Sequence, residues 1–225
     1  MTVVRAPAAL SLLLRDGTSE QHRLAEEAPF VRTLLGGRTR RDEYAGFVQS
    51  LYFVYRELES VLDVHRGHGF LERLDLPGLR RLPGLEADLA WWNGPSWSDA
   101  LHPSPATRAY CIRIRNLGAS APMLIVGHLY ARYLGDLSGG QVLRRAVERT
   151  FGLVDGIGTA FYRFGATSER GRLRERFRAC LDSLPVDADA AQRIVAEACR
   201  AFEHNLELFY ELAPSEPERR ARPLT

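Results

Sequence analysis

Lysine is missing altogether: all 30 basic residues of this 225-residue chain are arginines. No lysine amine can form a Schiff base, and every anion contact must be made by a guanidinium fork. Cysteine is scarce. Cys111, Cys180 and Cys199 are the whole set, and none sits in a Cys-x-x-Cys or Cys-x-x-Cys-His run. That excludes zinc ribbons and covalent c-type haem attachment, and it fits a reducing cytoplasm. Apolar runs are short. None approaches the roughly 20 residues of a membrane-spanning helix, so no membrane anchor is expected. The apolar segment 6–14 runs straight into charged residues without a clear cleavage site and reads as the start of a helix. Strand-like alternation is absent, as are repeats, long heptads and low-complexity tracts. A net charge of +2 gives no reason to expect a nucleic-acid partner.

What is present is helical periodicity throughout. Residues 10–27 read as a first helix whose polar stripe is Arg15, Ser19, His22 and Glu26, with Pro29 ending it. Residues 42–65 form a long helix with the apolar stripe Tyr44, Phe47, Val48, Leu51, Tyr55, Leu58 and Leu62, a period of about 3.6. Shorter helices follow at 85–92 and 106–117. Further helices span 122–151, 168–183 and 187–212. Gly/Pro-rich connections separate them. The expectation is an all-α chain, one helical domain over residues 1–213 followed by a polar tail, 214–225, expected to be disordered. Gly17, inside the first helix, has no evident purpose in the sequence.

One stretch does not fit a plain helix. Residues 130–141 carry Gly135, Gly139 and Gly140 in an otherwise helical context, and each glycine costs about 1 kcal/mol against alanine there. Glycine offers a bend and a backbone bare enough for a flat molecule to approach. At α-helical spacing His128, Arg132, Gly135, Asp136, Gly139 and Leu143 share a face. Neither nucleotide fingerprint fits, since no Lys-Ser/Thr follows the glycines and no strand precedes them. A capped Gly-rich loop is the plain alternative.

A flat ligand against such a helix points to a porphyrin, which needs an axial ligand. His65, His68 and His102 lie in or beside Gly/Pro-rich connections and are expected at the surface. His128 is close to Asp136 in sequence. His22 has Glu26 one turn on, able to accept from its free ring nitrogen and raise its basicity. Spacing places His22 only slightly ahead of His128, with a plain His–Glu surface pair as the alternative.

The motifs go further. Leu-Tyr-Ala-Arg-Tyr-Leu-Gly-Asp-Leu-Ser-Gly-Gly-Gln-Val-Leu (129–143) resembles the signature of the haem oxygenases. Glu-Gln-His-Arg-Leu-Ala-Glu (20–26) is similar to the segment that carries their proximal histidine. Ser-Leu-Tyr-Phe-Val-Tyr (50–55), residues 161–164 and Ala-Phe-Glu-His-Asn-Leu-Glu-Leu-Phe (201–209) match in the same order. The resemblance spans residues 10–212. It implies an all-helical fold with haem between a proximal and a kinked distal helix. It also implies ring opening of b-type haem, both substrate and cofactor, to biliverdin, carbon monoxide and ferrous iron. Dioxygen is the co-substrate, and electrons come from a ferredoxin or a flavoprotein reductase.

Carried over by position, His22 resembles the iron ligand, with Glu26 as its partner. Gly135 and Gly139 resemble the pair where the distal helix bends over the ring. Asp136 resembles the distal carboxylate that orders proton-donating water, in a network with Arg132, Tyr55 and Asn205. Asn205 lies on the apolar stripe of Ala198, Phe202 and Phe209, and a buried amide needs partners. Tyr130, within the motif, is a candidate cofactor contact; Phe161, Phe164 and Phe202 are candidate pocket-lining aromatics, for all three of which ordinary core packing is at least as good an explanation. Arg15, two turns before His22 and roughly 10 Å away, resembles a propionate contact, as do Arg174 and Arg178. Ser19 departs from the family, where a second basic residue is common. Two other classes remain: a haem storage or transfer protein, for which the Asp136 and Arg132 network has no use, and a cysteine-nucleophile hydrolase, for which no cysteine has an evident histidine partner.

Overall fold

The apolar stripes of the sequence become buried helix faces. The computed structural model describes residues 9–67, 69–99 and 101–213, and among these there are helices and turns but no strand. His68 and the tail 214–225 lie outside them, as do residues 6–8 of the apolar N-terminal segment. Helix α4 (Arg41–Val64) buries all seven predicted stripe residues, Tyr44 to Leu62. It packs against α5 (Leu82–Asn93) and α6 (Pro105–Ser120). The last helix, α11 (Ala188–Glu211), buries Ile194, Ala198, Ala201, Phe202, Asn205, Leu208 and Phe209. Starts are well marked. Ser104 Oγ accepts from Thr107 N at 3.2 Å ahead of Pro105 at N1, and Asp187 Oδ1 accepts from Ala190 N at 2.8 Å.

Three expectations need correction. The first helix is two: α1 (Leu10–Gly17) and α2 (Ser19–Glu27), separated at Thr18, whose φ of −109° and ψ of 8° are not helical. The Thr18 hydroxyl donates back to Leu14 O at 2.7 Å, a local bond that competes with the helix ladder. Gly17 now has its reason. A Cβ there would overlap the Val195 side chain, so glycine lets α1 lie directly on α11. Second, Pro29 ends α2 but also opens α3 (Pro29–Leu35), which buries Phe30, Val31 and Leu34. A proline at N1 loses no hydrogen bond, so it starts helices as readily as it stops them.

Third, residues 122–151 are not one regular helix. A 3₁₀ turn (Pro122–Leu124) leads into α7 (Ile125–Leu129), then a π-helical turn (Tyr130–Leu134), α8 (Gly135–Ser138) and α9 (Gly140–Phe151). A π turn closes i→i+5 rather than i→i+4 and rotates everything beyond it. The face drawn at regular spacing is therefore broken. His128 points into the core, away from the glycines.

His128 is fully buried, with Nε2 3.0 Å from Glu197 Oε1 and Nδ1 3.4 Å from Tyr110 Oη. Glu197 also accepts from Arg113 Nε at 2.9 Å. Burial depresses the His128 pKa despite the Glu197 carboxylate. It is a satisfied core histidine. His65 is half-buried, its Nε2 3.0 Å from Gly118 O, rather than at the surface; His102 is exposed as expected.

α7 crosses α11 at Gly127, where an added Cβ would lie 2.7 Å from Ala198 N and 2.9 Å from Ile194 O. Both neighbours are backbone and cannot swing aside. Gly127→Ala is expected to destabilise the fold by about 1–3 kcal/mol, read as a drop of several degrees in the midpoint of thermal unfolding by circular dichroism.

Candidate functional site

Between α2 and the glycine-bearing segment lies a slot. It consists of two adjoining chambers of about 490 and 210 Å3 that share His22, Ala131, Gly135 and Phe202 as walls. Clefts of ~300–1,000 Å3 are the scale of small-molecule sites. The larger chamber is polar at its mouth, with Ser11, Arg15, Ser19, Tyr130, Ser138 and Arg178. The smaller is apolar toward the opposite edge, with Ala25, Val31, Leu35, Val142, Leu143 and Phe209. The slot thus has a charged side and a greasy side.

Its ceiling is backbone. A Cβ built on Gly135 would have no heavy atom within 4 Å, and one on Gly139 would meet only Gly135 O at 3.6 Å. Both residues are right-handed helical, with φ of −58° and −77°. Conformational freedom is therefore not why glycine stands here. What matters is the missing side chain, which would otherwise project into the slot. Gly140 differs: its Cβ would press on the Tyr162 ring at 3.1 Å, a packing reason.

On the other side His22 lines both chambers, and the Phe202 ring meets its imidazole edge-on at 6.0 Å. The His22 side chain is 56% exposed, so it is a wall of an open cleft and not part of the core. Glu26 lies one turn on as expected, but Nδ1 and Oε1 are 3.7 Å apart. That is beyond a hydrogen bond, and the predicted bond is absent. α2 has no buried residue, so nothing clamps the pair.

Beneath the glycines is a buried polar network. Tyr55 Oη donates to Asp136 Oδ2. Arg132 Nη2 donates to both Asp136 oxygens at 3.1 Å, and its Nη1 donates to Asn205 Oδ1 at 2.8 Å. Asn205 Nδ2 in turn donates to Ala201 O at 2.7 Å. The four residues suggested by the motifs, on α4, the π turn, α8 and α11, thus meet in one chain. Burial pushes the Asp136 pKa up, opposed by Arg132 and Tyr55. Burial also works against the charge of Arg132, yet Asp136 beside it raises that pKa overall. Arg132 Nε is buried and has no partner, so the network retains an unused donor. Arg132, Asp136 and Asn205 all reach the smaller chamber.

The remaining expectations divide. Arg15 and Arg178 line the polar chamber, Arg15 tied to Asp16 at 2.8 Å. Arg174 does not line it; the side chain is half-buried, with Nε enclosed and unpartnered. Tyr130 is half-buried at the chamber wall. Phe202 lines both chambers, whereas Phe161 and Phe164 are core, the Phe161 ring packing on Tyr55 at 5.6 Å. Ser11, Ser138, Leu35, Val142 and Phe209 were not foreseen as lining. Ser138, Val142 and Phe209 lie inside the quoted motifs, whereas Ser11 and Leu35 lie outside them. Neither Cys111 nor Cys199 is primed as a nucleophile: burial pushes the Cys111 thiol up to about 12 and raises that of Cys199. Among the described residues no group of His, Cys, Asp and Glu is arranged to hold a metal ion by itself. An exposed imidazole facing a bare ceiling instead suits an ion already carried by a flat ligand.

Comparison with known proteins agrees with this geometry. The family described as "Heme oxygenase" matches residues 8–211. The chain is 36% identical over 206 residues to a heme oxygenase of Guillardia theta, covering 92% of this chain and 87% of that one. It superposes on heme oxygenase-1 of Synechocystis in complex with heme with a TM-score of 0.86 at 38% identity, covering 91% and 92% of the two chains. For heme oxygenase-2 of Synechocystis in complex with heme and NO the TM-score is 0.88 at 36% identity, covering 91% and 85%.

The open space at Gly135 makes a prediction. Gly135→Leu is expected to keep the apoprotein as stable, or about 1 kcal/mol more so from helix propensity, while haemin affinity falls tenfold or more. Thermal unfolding and haemin titration test the two halves; undiminished haemin affinity would place the ligand elsewhere.

Proposed function

The chain belongs to the haem oxygenase family and opens haem oxidatively to biliverdin, carbon monoxide and ferrous iron; on that premise we propose how its own residues carry the reaction. The slot would hold the haem. Arg15 and Arg178 would supply guanidinium forks, and Ser11, Ser19 and Ser138 hydroxyls, to its propionates. Val31, Leu35, Val142 and Leu143 would hold its apolar edge. His22 would hold the haem iron through a neutral ring nitrogen, and Glu26, one turn on, would favour the tautomer that leaves that nitrogen free. Tyr130 and Phe202 hold the ring in place.

The buried Asp136 network is the observation that carries the catalytic reading. A storage or transfer protein needs a ligand and a pocket. It does not need a carboxyl held in the interior by Tyr55 and Arg132 at the wall of that pocket. With its pKa raised by burial, Asp136 can hold and release a proton closer to neutral pH than an exposed carboxylate. Arg132 and Tyr55 fix its orientation, and Asn205 fixes Arg132. Gly135 and Gly139 keep side chains out of the space beneath the ceiling, room that dioxygen would use, and Asp136 would order water there to supply protons.

Reducing equivalents come from a separate protein, a ferredoxin or a flavoprotein reductase. Among the described residues no helix is long and apolar enough to cross a membrane. The three cysteines are unpaired, and we place the reaction in the cytoplasm.

Two variants test the assignment. Asp136→Ala is expected to bind haem within about threefold of wild type but to form biliverdin at least 100-fold more slowly, the scale of a lost acid–base group at ~10²–10⁴. The readout is growth of biliverdin absorption in air with reductant, and unchanged turnover removes Asp136 from the mechanism. His22→Ala is expected to weaken haem binding and to regain the ferrous spectrum of the parent on addition of imidazole; a parental spectrum without imidazole would assign the ligand to another residue.

A further inference from the structure

One buried cation has no opposite charge beside it. Arg81 is 6% exposed, and its guanidinium donates to the carbonyls of Gly78, Leu79, Phe161 and Arg163. Among the described residues no carboxylate lies within ion-pair distance of it. The carbonyls satisfy its N–H groups but leave the charge unneutralised, and burial holds its pKa below the ordinary arginine value. Buried charges are usually paired. The other buried arginine, Arg132, has Asp136 at 3.1 Å.

Arg81 lines a cavity of about 530 Å3 that shares no wall residue with the haem slot. One wall is α10 (Thr167–Asp182), which carries arginine at every second position from 170 to 178. On a helix this alternation makes two flanks. Arg170, Arg174 and Arg178 lie on one side of the buried row Leu173, Phe177 and Leu181, and Arg172 and Arg176 on the other. Only Arg172 and Arg176 line this cavity, and Arg163 joins them from the loop after the 3₁₀ turn Ala160–Tyr162. These three guanidiniums are exposed and uncommitted. Arg23, Arg80, Arg113, Arg115 and Arg144 are each paired with a carboxylate, whereas among the described residues no ion pair engages Arg163, Arg172 or Arg176. The one acid on the wall, Glu169, accepts from Ala166 N at 2.6 Å at the start of its own helix. Like charges at i,i+4 weaken a helix by a few tenths of a kcal/mol, so Arg172 and Arg176 oppose each other until an anion meets them.

The propionates of haem do not answer this need, since Arg15 and Arg178 lie at the other cavity. Four arginines ask for more than one carboxylate. A phosphoryl group offers three acceptor oxygens and a charge of about −1.5 to −2 near neutral pH, and guanidinium forks match its oxygens in pairs. We propose that this cavity binds a phosphoryl oxyanion, free or as the phosphate end of a small soluble ester, through Arg163, Arg172 and Arg176 beside the fixed charge of Arg81. The site is independent of the haem slot, and occupancy stabilises the folded chain by mass action.

The test titrates the full chain, free of haem, with pyrophosphate, inorganic phosphate and AMP by calorimetry at constant ionic strength. Saturable binding of at least one of them is expected, with a midpoint of thermal unfolding that rises with its concentration. Arg172→Gln/Arg176→Gln should weaken that binding at least tenfold, the scale of lost charge-assisted hydrogen bonds, while its unfolding midpoint without ligand does not fall. Arg15→Gln/Arg178→Gln should keep the parental affinity within twofold, which excludes the slot as the binder. Tighter binding of AMP than of the two inorganic anions assigns the site to an ester; the reverse order assigns it to the free oxyanion. Three results overturn the site: no saturable binding of any of the three below about 10 mM, beyond the weak end of the specific affinity scale; parental affinity in the Arg172/Arg176 variant; or loss of binding in the Arg15/Arg178 variant alone.

Discussion

The arrangement depends on one buried ion pair, Arg132 with Asp136, both nearly removed from solvent and bridged at 3.1 Å. Burying two charges costs several kcal/mol per ion before their attraction offsets it. Here the offset needs help. Tyr55 donates to the carboxylate, Asn205 accepts from the guanidinium, and the Tyr55 ring lies 5.5 Å from the guanidinium carbon. Replacing a buried ion pair by apolar residues of similar size is often neutral or stabilising, so stability alone does not account for the charges. The interior raises the carboxyl's proton affinity while the arginine holds its geometry.

That pair fixes where the ceiling lies. Arg132 sits within the π turn and Asp136 in the helix immediately after it, so the same backbone that presents the carboxylate presents Gly135 and Gly139 to the slot. The π turn rotates the segment so that Arg132 and Asp136 reach inward beside Asn205 while the glycines form the roof. On the upstream side the rotation sends His128 toward Glu197, where it pairs in the core. One irregular turn thus separates a structural histidine from the reactive surface. Across the slot, α2 is loosely held: no buried residue, an exposed His22 and a Glu26 contact of 3.7 Å. A distal side tied by buried hydrogen bonds faces a proximal helix with no buried residue.

Much of this was legible in the residues. The stripe of α4 predicted its buried face residue by residue, because a period of 3.6 reports which side of a helix meets the core. The glycine-rich motif marked the slot, because three glycines in a helix need a reason. The grouping of Tyr55, Arg132, Asp136 and Asn205 was legible only through resemblance, since spacing along the chain says nothing about residues from four different elements. Some features were not legible. Pro29 is compatible with a helix end and a helix start, and it serves as both. The purpose of Gly17 rests on Val195, distant in sequence. Arg174 and Arg178 lie one turn apart on the same helix, yet Arg178 alone lines the chamber.

The sequence by itself determined the helical class, the main helices to within a few residues, the exclusion of zinc-ribbon and lysine chemistry, and the bareness of the backbone at 135 and 139. These follow from side-chain volume, periodicity and composition, which are local properties. Tertiary packing decided the break at Thr18, the π turn and the fate of His128. It also decided the division of the slot into polar and apolar chambers and the two flanks of α10. Each depends on what lies opposite: Val195 against Gly17, Glu197 against His128, a cavity against Arg172. Which atoms face one another across a core is set by the whole chain at once, and no single stretch of residues carries that information.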